Sequence, residues 1–238
     1  MGTRNLLYRK DYPINKEIKI IIPTVGEILD NEDSYYNLVS VLTAMPIDMM
    51  VQLDSLNIDF TQLSEYDLFL YLFEGLKQQD TSMIFGELDL TRFHPDISKQ
   101  NGNLILYDPY NDITIDKAIH NKIATILRLI HNLKKNTRKP ANEEAKAFML
   151  ERAKSKMRRR KNKTEDSWLE SLIVAMVNTE QYKYDFEGTR SLSIYQFNES
   201  VRQVIKKVDY DNKMYGVYTG SINVKELNQD DLNWLVHK

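Results

Sequence analysis

Apolar positions along this chain recur with more than one period, and each period marks a kind of element. Ile119, Ile123, Ile126, Ile130 and Leu133 fall on one stripe with polar residues between them, the pattern of a helix with one buried face. Asp116 stands just before it, where its carboxylate can cap the first turn. Ile194, Phe197, Val201, Val204, Ile205 and Val208 form a second such stripe, about 100° wide at 100° per residue. Tyr210 to Tyr218 reads as a further helix, stopped by Gly220. Residues 65–77 behave differently. Tyr66, Leu68, Phe69, Leu70, Leu72, Phe73 and Leu76 spread around nearly the whole circumference, and only Asp67 and Glu74 mark a polar edge. A helix apolar all round is buried, either in a core or in an assembly.

Shorter patterns fill the remainder. Ile18 to Ile22 reads as a strand closed by Pro23. Thr24 and Glu27 have capping-box spacing ahead of Ile28 and Leu29. Helices are predicted from about Ser34 to Thr43 and from Pro46 to Leu56, with Pro46 at the first turn, where its missing N–H costs nothing. Ser64 or Thr61 caps the helix Glu65 to Lys77. Residues 83–115 look β-rich: MIFGELDLTRF, NLILYD and DITI are short, partly alternating, and separated by Gly, Pro, Asn and Asp. LILY-DPYND-ITI reads as a hairpin with a five-residue loop. Residues 141–161 are good helix formers with only a thin stripe: Ala145, Met149, Ala153 and Met157. Trp168 to Val177 is an apolar helix, and Asp230 to Leu235 a short closing segment. The expected class is therefore α+β and predominantly helical, a helical bundle-like body with a small antiparallel β-element in the N-terminal half. Three regions are expected: an α+β region 1–138, a basic helical arm or linker 139–163, and a helical region 164–238 that stands alone or packs with the first.

Composition narrows the function classes. The 238 residues are 42% hydrophobic and 28% charged, ordinary for a globular protein with a sizeable core. No cysteine is present, which excludes disulfides and thiolate metal sites. No apolar run is longer than the six residues Leu68 to Phe73, far short of the roughly 20 residues that span a bilayer, and the first residues lack a signal-peptide core. The expectation is a soluble, intracellular protein with no membrane partner.

Catalytic patterns fail one by one. His120 and His131 share a helix face but lie eleven residues apart, a rise of about 16 Å, too far to share one metal ion; both sit at the border of the isoleucine stripe, where a half-buried histidine belongs. Asp108, Asp112 and Asp116 lack the ligand density and turn glycine of a divalent-cation loop and read as turn and cap residues. Pro95-Asp96 with Glu144-Ala145-Lys146 has a nuclease-like look, but that chemistry needs both acidic elements on neighbouring strands, and Glu144 falls on a predicted helix. With no Gly-rich phosphate loop and no serine elbow, no catalytic residue, metal or cofactor is assigned, and a non-enzyme is expected.

Charge supplies one candidate contact. Residues 134–163 hold thirteen Lys or Arg against three Glu, a net of +10 in a chain of net -2. Lys154, Lys156, Arg158, Arg159, Arg160, Lys161 and Lys163 suit either an acidic protein surface or the phosphates of a nucleic acid. Only Phe148 is aromatic in this stretch, so base stacking is not indicated. The apolar helix supplies the other candidate: Tyr66, Phe69, Leu70 and Phe73, with Met49 and Met50 beside them as adaptable contacts for a partner, or else as ordinary core filling.

IYQFNESVRQVIKKVDYDNKMYGVYTGSINVKELNQDDLNWL (Ile194 to Leu235) resembles the ending of an uncharacterised family encoded in phages and prophages of Gram-positive bacteria. IPTVGEILDNEDSYYNLVSVLTAMPIDMMVQLDSLNIDF and SLIVAMVNTEQYKYDF resemble it also, so the likeness covers most of the chain. Pro23, Gly26, Phe60, Asn178, Tyr184, Tyr195, Phe197, Tyr218, Gly220 and Trp234 carry it, and these are packing and turn residues. The resemblance implies a product of the tail and structural gene cluster. It points to a tail assembly chaperone that holds the tape-measure protein or another phage structural protein, or to a minor virion component. The expected location is the cytoplasm of the bacterial host or the virion, and self-association is left open.

Overall fold

The computed structural model describes residues 6–99, 102–160 and 167–235. In chain order its elements are strands β1 (Asp11–Pro13) and β2 (Lys19–Ile21), then helices α1 (Val25–Leu29), α2 (Glu32–Thr43), α3 (Met50–Ser55), α4 (Glu65–Leu76) and α5 (Ser82–Phe85). Strands β3 (His94–Ile97), β4 (Leu104–Asp108) and β5 (Ile113–Ile115) follow, then α6 (Lys117–Ile130), α7 (Glu143–Arg160), α8 (Trp168–Val177), α9 (Phe186–Ser191) and α10 (Ile194–Tyr218). The chain is α+β and mostly helical, with its strands in the N-terminal half. It divides into two compact units. One holds the described residues of 9–22 and 31–166, the other those of 1–8, 23–30 and 167–238.

In the larger unit, α2, α4 and α6 pack on one another. Tyr35, Leu38 and Leu42 of α2, Phe69, Phe73 and Leu76 of α4, and Ile123, Leu127 and Ile130 of α6 are buried there. The isoleucine stripe of α6 is thus its packing face. Asp116 caps that helix by accepting the Ile119 N–H at 2.8 Å. The helix ends at Ile130, and Leu133, placed on the stripe by the sequence, is exposed. Strands β3, β4 and β5 form an antiparallel sheet in that order. Leu106, Asp108, Ile113 and Ile115 are buried, as strand alternation requires. Asp108 belongs to β4, paired with Ile113, so the hairpin loop is four residues, with Asp112 at φ 55°.

The expectation of β-structure is wrong for residues 83–93, where 83–85 belong to a helical turn and 90–92 to a 3-10 turn. Asp80 accepts the Ser82 N–H at 2.9 Å and Gly86, at φ 63°, ends a single helical turn. This local Asx turn overrides the β-preference of Ile84 and Phe85, and α5 packs against β2 instead.

In the smaller unit, Thr24 and Glu27 make the expected capping box. Val25 N–H donates to the Leu192 carbonyl and Ile194 N–H to that of Pro23, each at 2.8 Å. Arg190 of α9 lies against Gly26 and reaches both Asp30 carboxylate oxygens at 3.0 Å. Residues 194–218 form one helix, where the sequence suggests two. Ion pairs Lys207–Asp211 and Lys213–Asp209 at i,i+4 spacing bridge the expected break. Beyond Gly220, at φ 75°, the chain runs back along α10, held by Lys213–Asp231 and by Gln203 donating to the Trp234 carbonyl. Ile205 lies on the predicted stripe and yet is 62% exposed.

Candidate protein-binding site

A methionine-rich cluster in the larger unit takes shape around the turn before α3. Pro46 starts a 3-10 turn, and Asp48 accepts the Met45 N–H at 3.1 Å. This places Met45, Met49 and Met50 around a buried nucleus of Ile47, Leu53, Phe60 and Leu68, with Ala44, Ile58, Leu63 and Leu72 at its margin. One further half-buried side chain completes the cluster: Met149, from α7.

The basic helix lies on α3. Two adjacent rows of its residues, Ala145–Met149–Ala153 and Lys146–Leu150–Lys154, are half-buried, and from Glu143 to Arg159 every other residue is exposed. Each row has the i,i+4 spacing of one helix face. Lys146 reaches Asp59 at 2.7 Å and Lys154 reaches Asp54 at 2.9 Å. Thr61 orients Asp59 by donating from its N–H at 2.9 Å and its hydroxyl at 2.7 Å. The Lys146 hydrogen bond, helped by those from Thr61, holds the Asp59 carboxyl down at about 2. The same contact raises the Lys146 ammonium above its usual value. Asn136 donates to Asp48 at 2.7 Å and ties down the segment that leads into α7.

The sequence-derived site residues separate in space. Met49 and Met50 are half-buried in the cluster. Tyr66, Phe69 and Phe73 are buried elsewhere in the unit, and Leu70 is half-buried. The Tyr66 hydroxyl donates to the Ile115 carbonyl at 2.8 Å. Phe69 stacks on the His120 imidazole with centroids 4.2 Å apart. Lys154 docks as described, whereas Lys156, Arg158 and Arg159 are exposed. Arg160 ends α7, and Lys161 and Lys163 lie outside the described residues. Sequence reasoning missed Asp54, Asp59 and Lys146, and it missed Met149 as a partner of Met49 and Met50. The parts were visible separately, a lysine-flanked methionine on a thin stripe and two aspartates after a methionine pair, but nothing in the sequence joined them.

Three polar features lie elsewhere in this unit. Glu65 and Arg128, both buried, are joined at 2.5 Å, Arg128 also donates to the Thr43 carbonyl at 2.6 Å, and Lys135 closes on the other Glu65 oxygen. Burial raises the Glu65 carboxyl, but hydrogen bonds from Lys135 and Arg128 outweigh it and hold the group below its ordinary value. His120 is pushed down to about 4 by burial. Half-buried His131, bonded to the Tyr35 hydroxyl at 2.9 Å, is pushed down to about 4 by the same cause. An open trough of about 1050 Å³ runs along the sheet, lined by Asp67, Asp96, Asp112, Asp116, Lys99 and Lys117 among others. Among the described residues no three His, Asp or Glu side chains converge to hold a metal ion, and no helix is long and apolar enough to cross a membrane.

Comparison with protein-family models, with curated proteins and with solved structures returns no match.

Proposed function

We propose that this chain is a non-enzymatic assembly protein of a bacteriophage tail, a chaperone that holds a helical stretch of the tape-measure protein or of another tail protein in the host cytoplasm. The observation that carries the reading is the seating of α7 on the methionine cluster. A helix laid along α3, with a methionine in an adaptable apolar patch and lysines on flanking aspartates, is helix-in-groove recognition performed within one chain. Methionine side chains suit a surface that must accept more than one helix. The phage assignment rests on the resemblance of residues 194–235 and of the two earlier blocks. Co-expression with the tail proteins of the same phage tests it: one of them co-purifies with this chain and becomes more soluble. If no tail protein associates, the reading is lost. Purified particles distinguish the chaperone from a minor virion component, since the chaperone is absent from them.

One observation favours a second reading, nucleic-acid binding. Arg152, Lys156, Arg158 and Arg159 are exposed on α7 away from its docked rows. Such a stripe binds duplex DNA through phosphates with steep salt dependence. Affinity measured against salt decides: replacing Arg158, Arg159 and Arg160 by Glu abolishes binding under this reading, and an unchanged affinity eliminates it.

A further inference from the structure

We infer that α7 is a built-in stand-in for the client, a basic amphipathic helix that occupies the methionine groove in the resting protein and is displaced when a partner helix of the same chemistry arrives. The inference deepens the chaperone reading and rests on it for the identity of the partner. The recognition elements can be read from the docked helix. Met149 enters the cluster, Lys146 three residues before it meets Asp59, and Lys154 five residues after it meets Asp54. The eight residues between the lysines rise about 12 Å, so the groove presents two carboxylates that far apart on either side of an apolar patch. A partner that fits carries Lys or Arg, then Met or Leu three residues on, then Lys or Arg five further on, with small residues filling the row. A neutral or acidic helix leaves Asp54 and Asp59 facing no cation.

The docking of α7 is built to be reversible. Only two rows touch the body, and none of the residues in them is fully buried. Both ion pairs are partly open to water, with side-chain exposures of 21% and 37% for Lys146 and Asp59 and of 30% and 42% for Lys154 and Asp54. Pairs of this kind contribute modestly. The tether amplifies this modest hold, because a helix joined to its groove through the short stretch 133–142 acts at an effective concentration on the order of millimolar. A free helix therefore competes poorly until its own contacts exceed those of α7.

The test uses the full chain and, as probe, a fluorescent peptide spanning residues 143–160. Lys146→Glu with Lys154→Glu reverses both ion pairs and frees the groove. Peptide anisotropy then reports binding at least about tenfold tighter than to the wild-type protein, the factor expected from two partly exposed pairs. Amide exchange of 143–160 accelerates in this variant while that of α2 and α6 does not. Adding Asp54→Lys and Asp59→Lys restores the charge match within the chain: α7 regains protection and the peptide no longer binds. Equal peptide affinity for wild type and the double variant overturns the inference, as does unchanged α7 protection in the double variant. If the peptide behaves as expected but no tail protein binds, the groove stands and the chaperone reading falls. If a tail protein binds wild type and double variant equally, the chaperone reading stands and the stand-in role falls.

Discussion

Removing the carboxylate of Glu65 should cost the larger unit far more than removing Lys135, the exposed one of its two cations. Glu65 and Arg128 are each 8% exposed, and their 2.5 Å contact lies where α4 and α6 pack together. Glu65→Ala leaves the Arg128 guanidinium buried with one neutral acceptor, the Thr43 carbonyl. An uncompensated buried charge costs about 3–5 kcal/mol. Arg128 keeps that acceptor, and Lys135, whose side chain is 44% exposed, can turn to water, so the lower figure, about 3 kcal/mol, applies. Lys135→Ala removes a partly exposed partner and costs about 1 kcal/mol or less. Replacing Glu65 and Arg128 together by Met removes both charges from the interior and costs less than Glu65→Ala alone. Native-state amide exchange of α6 is the suitable readout, because it reports the opening of this unit by itself. The reasoning is refuted if Glu65→Ala and Lys135→Ala are equally mild, or if the double replacement is the worst of the three.

Acid should weaken the same unit before its carboxylates titrate. His120 and His131 drop from 6.5 to about 4 on folding, so the stability they contribute is full above pH 6.5 and is lost as pH falls from there toward 4. The slope reaches about 2.7 kcal/mol per pH unit if both protonate together; His120→Phe should remove the part due to His120, and an unchanged profile in that variant would contradict the assignment. Docking of α7 should hold at neutral pH and fail lower still, because the Asp59 carboxyl moves from 3.8 to about 2 and the contribution of its lowered pKa is lost between those values. Exchange of 143–160 read against pH checks it, and release already at pH 5 would count against the Asp59 contact. Gly86→Ala should destabilise the turn between α5 and the following segment by about 1–3 kcal/mol, since φ 63° with ψ -121° is a conformation that L residues rarely adopt. Urea unfolding with an unchanged slope would report it, and no loss would mean the turn relaxes.

Helix periodicity and capping chemistry made most of the fold legible. Thr24, Ser64 and Asp116 cap where their spacing indicates, because a cap is a contact over three residues and leaves its mark locally. What stayed hidden is non-local or set by competition between local terms. The turn at 83–85 looks like strand because Ile84 and Phe85 favour it, and the Asx turn at Asp80 decides otherwise. The pairing of Lys146 with Asp59 spans 87 residues, and no pattern in one sequence links such positions. The helix that is apolar nearly all round is the instructive case. Its sides are taken by different neighbours: Tyr66 by the sheet, Phe69 by His120 of α6, and Leu68 with Leu72 by the methionine cluster, leaving Asp67, Tyr71, Glu74 and Gly75 toward water. The circumferential pattern therefore marks α4 as a hub for packing, which leaves Tyr66, Phe69 and Phe73 without a free surface to offer a partner. Of the sequence candidates, Met49 and Met50 meet the basic helix in a single contact through Met149, while Lys156, Arg158 and Arg159 stay exposed outside it. Exposing that contact requires moving α7 alone, whereas exposing Phe69 or Phe73 requires separating α4 from α6. The first disrupts two half-buried rows and the second a buried core, so of these two contacts the methionine cluster is the one that opens without unfolding the unit.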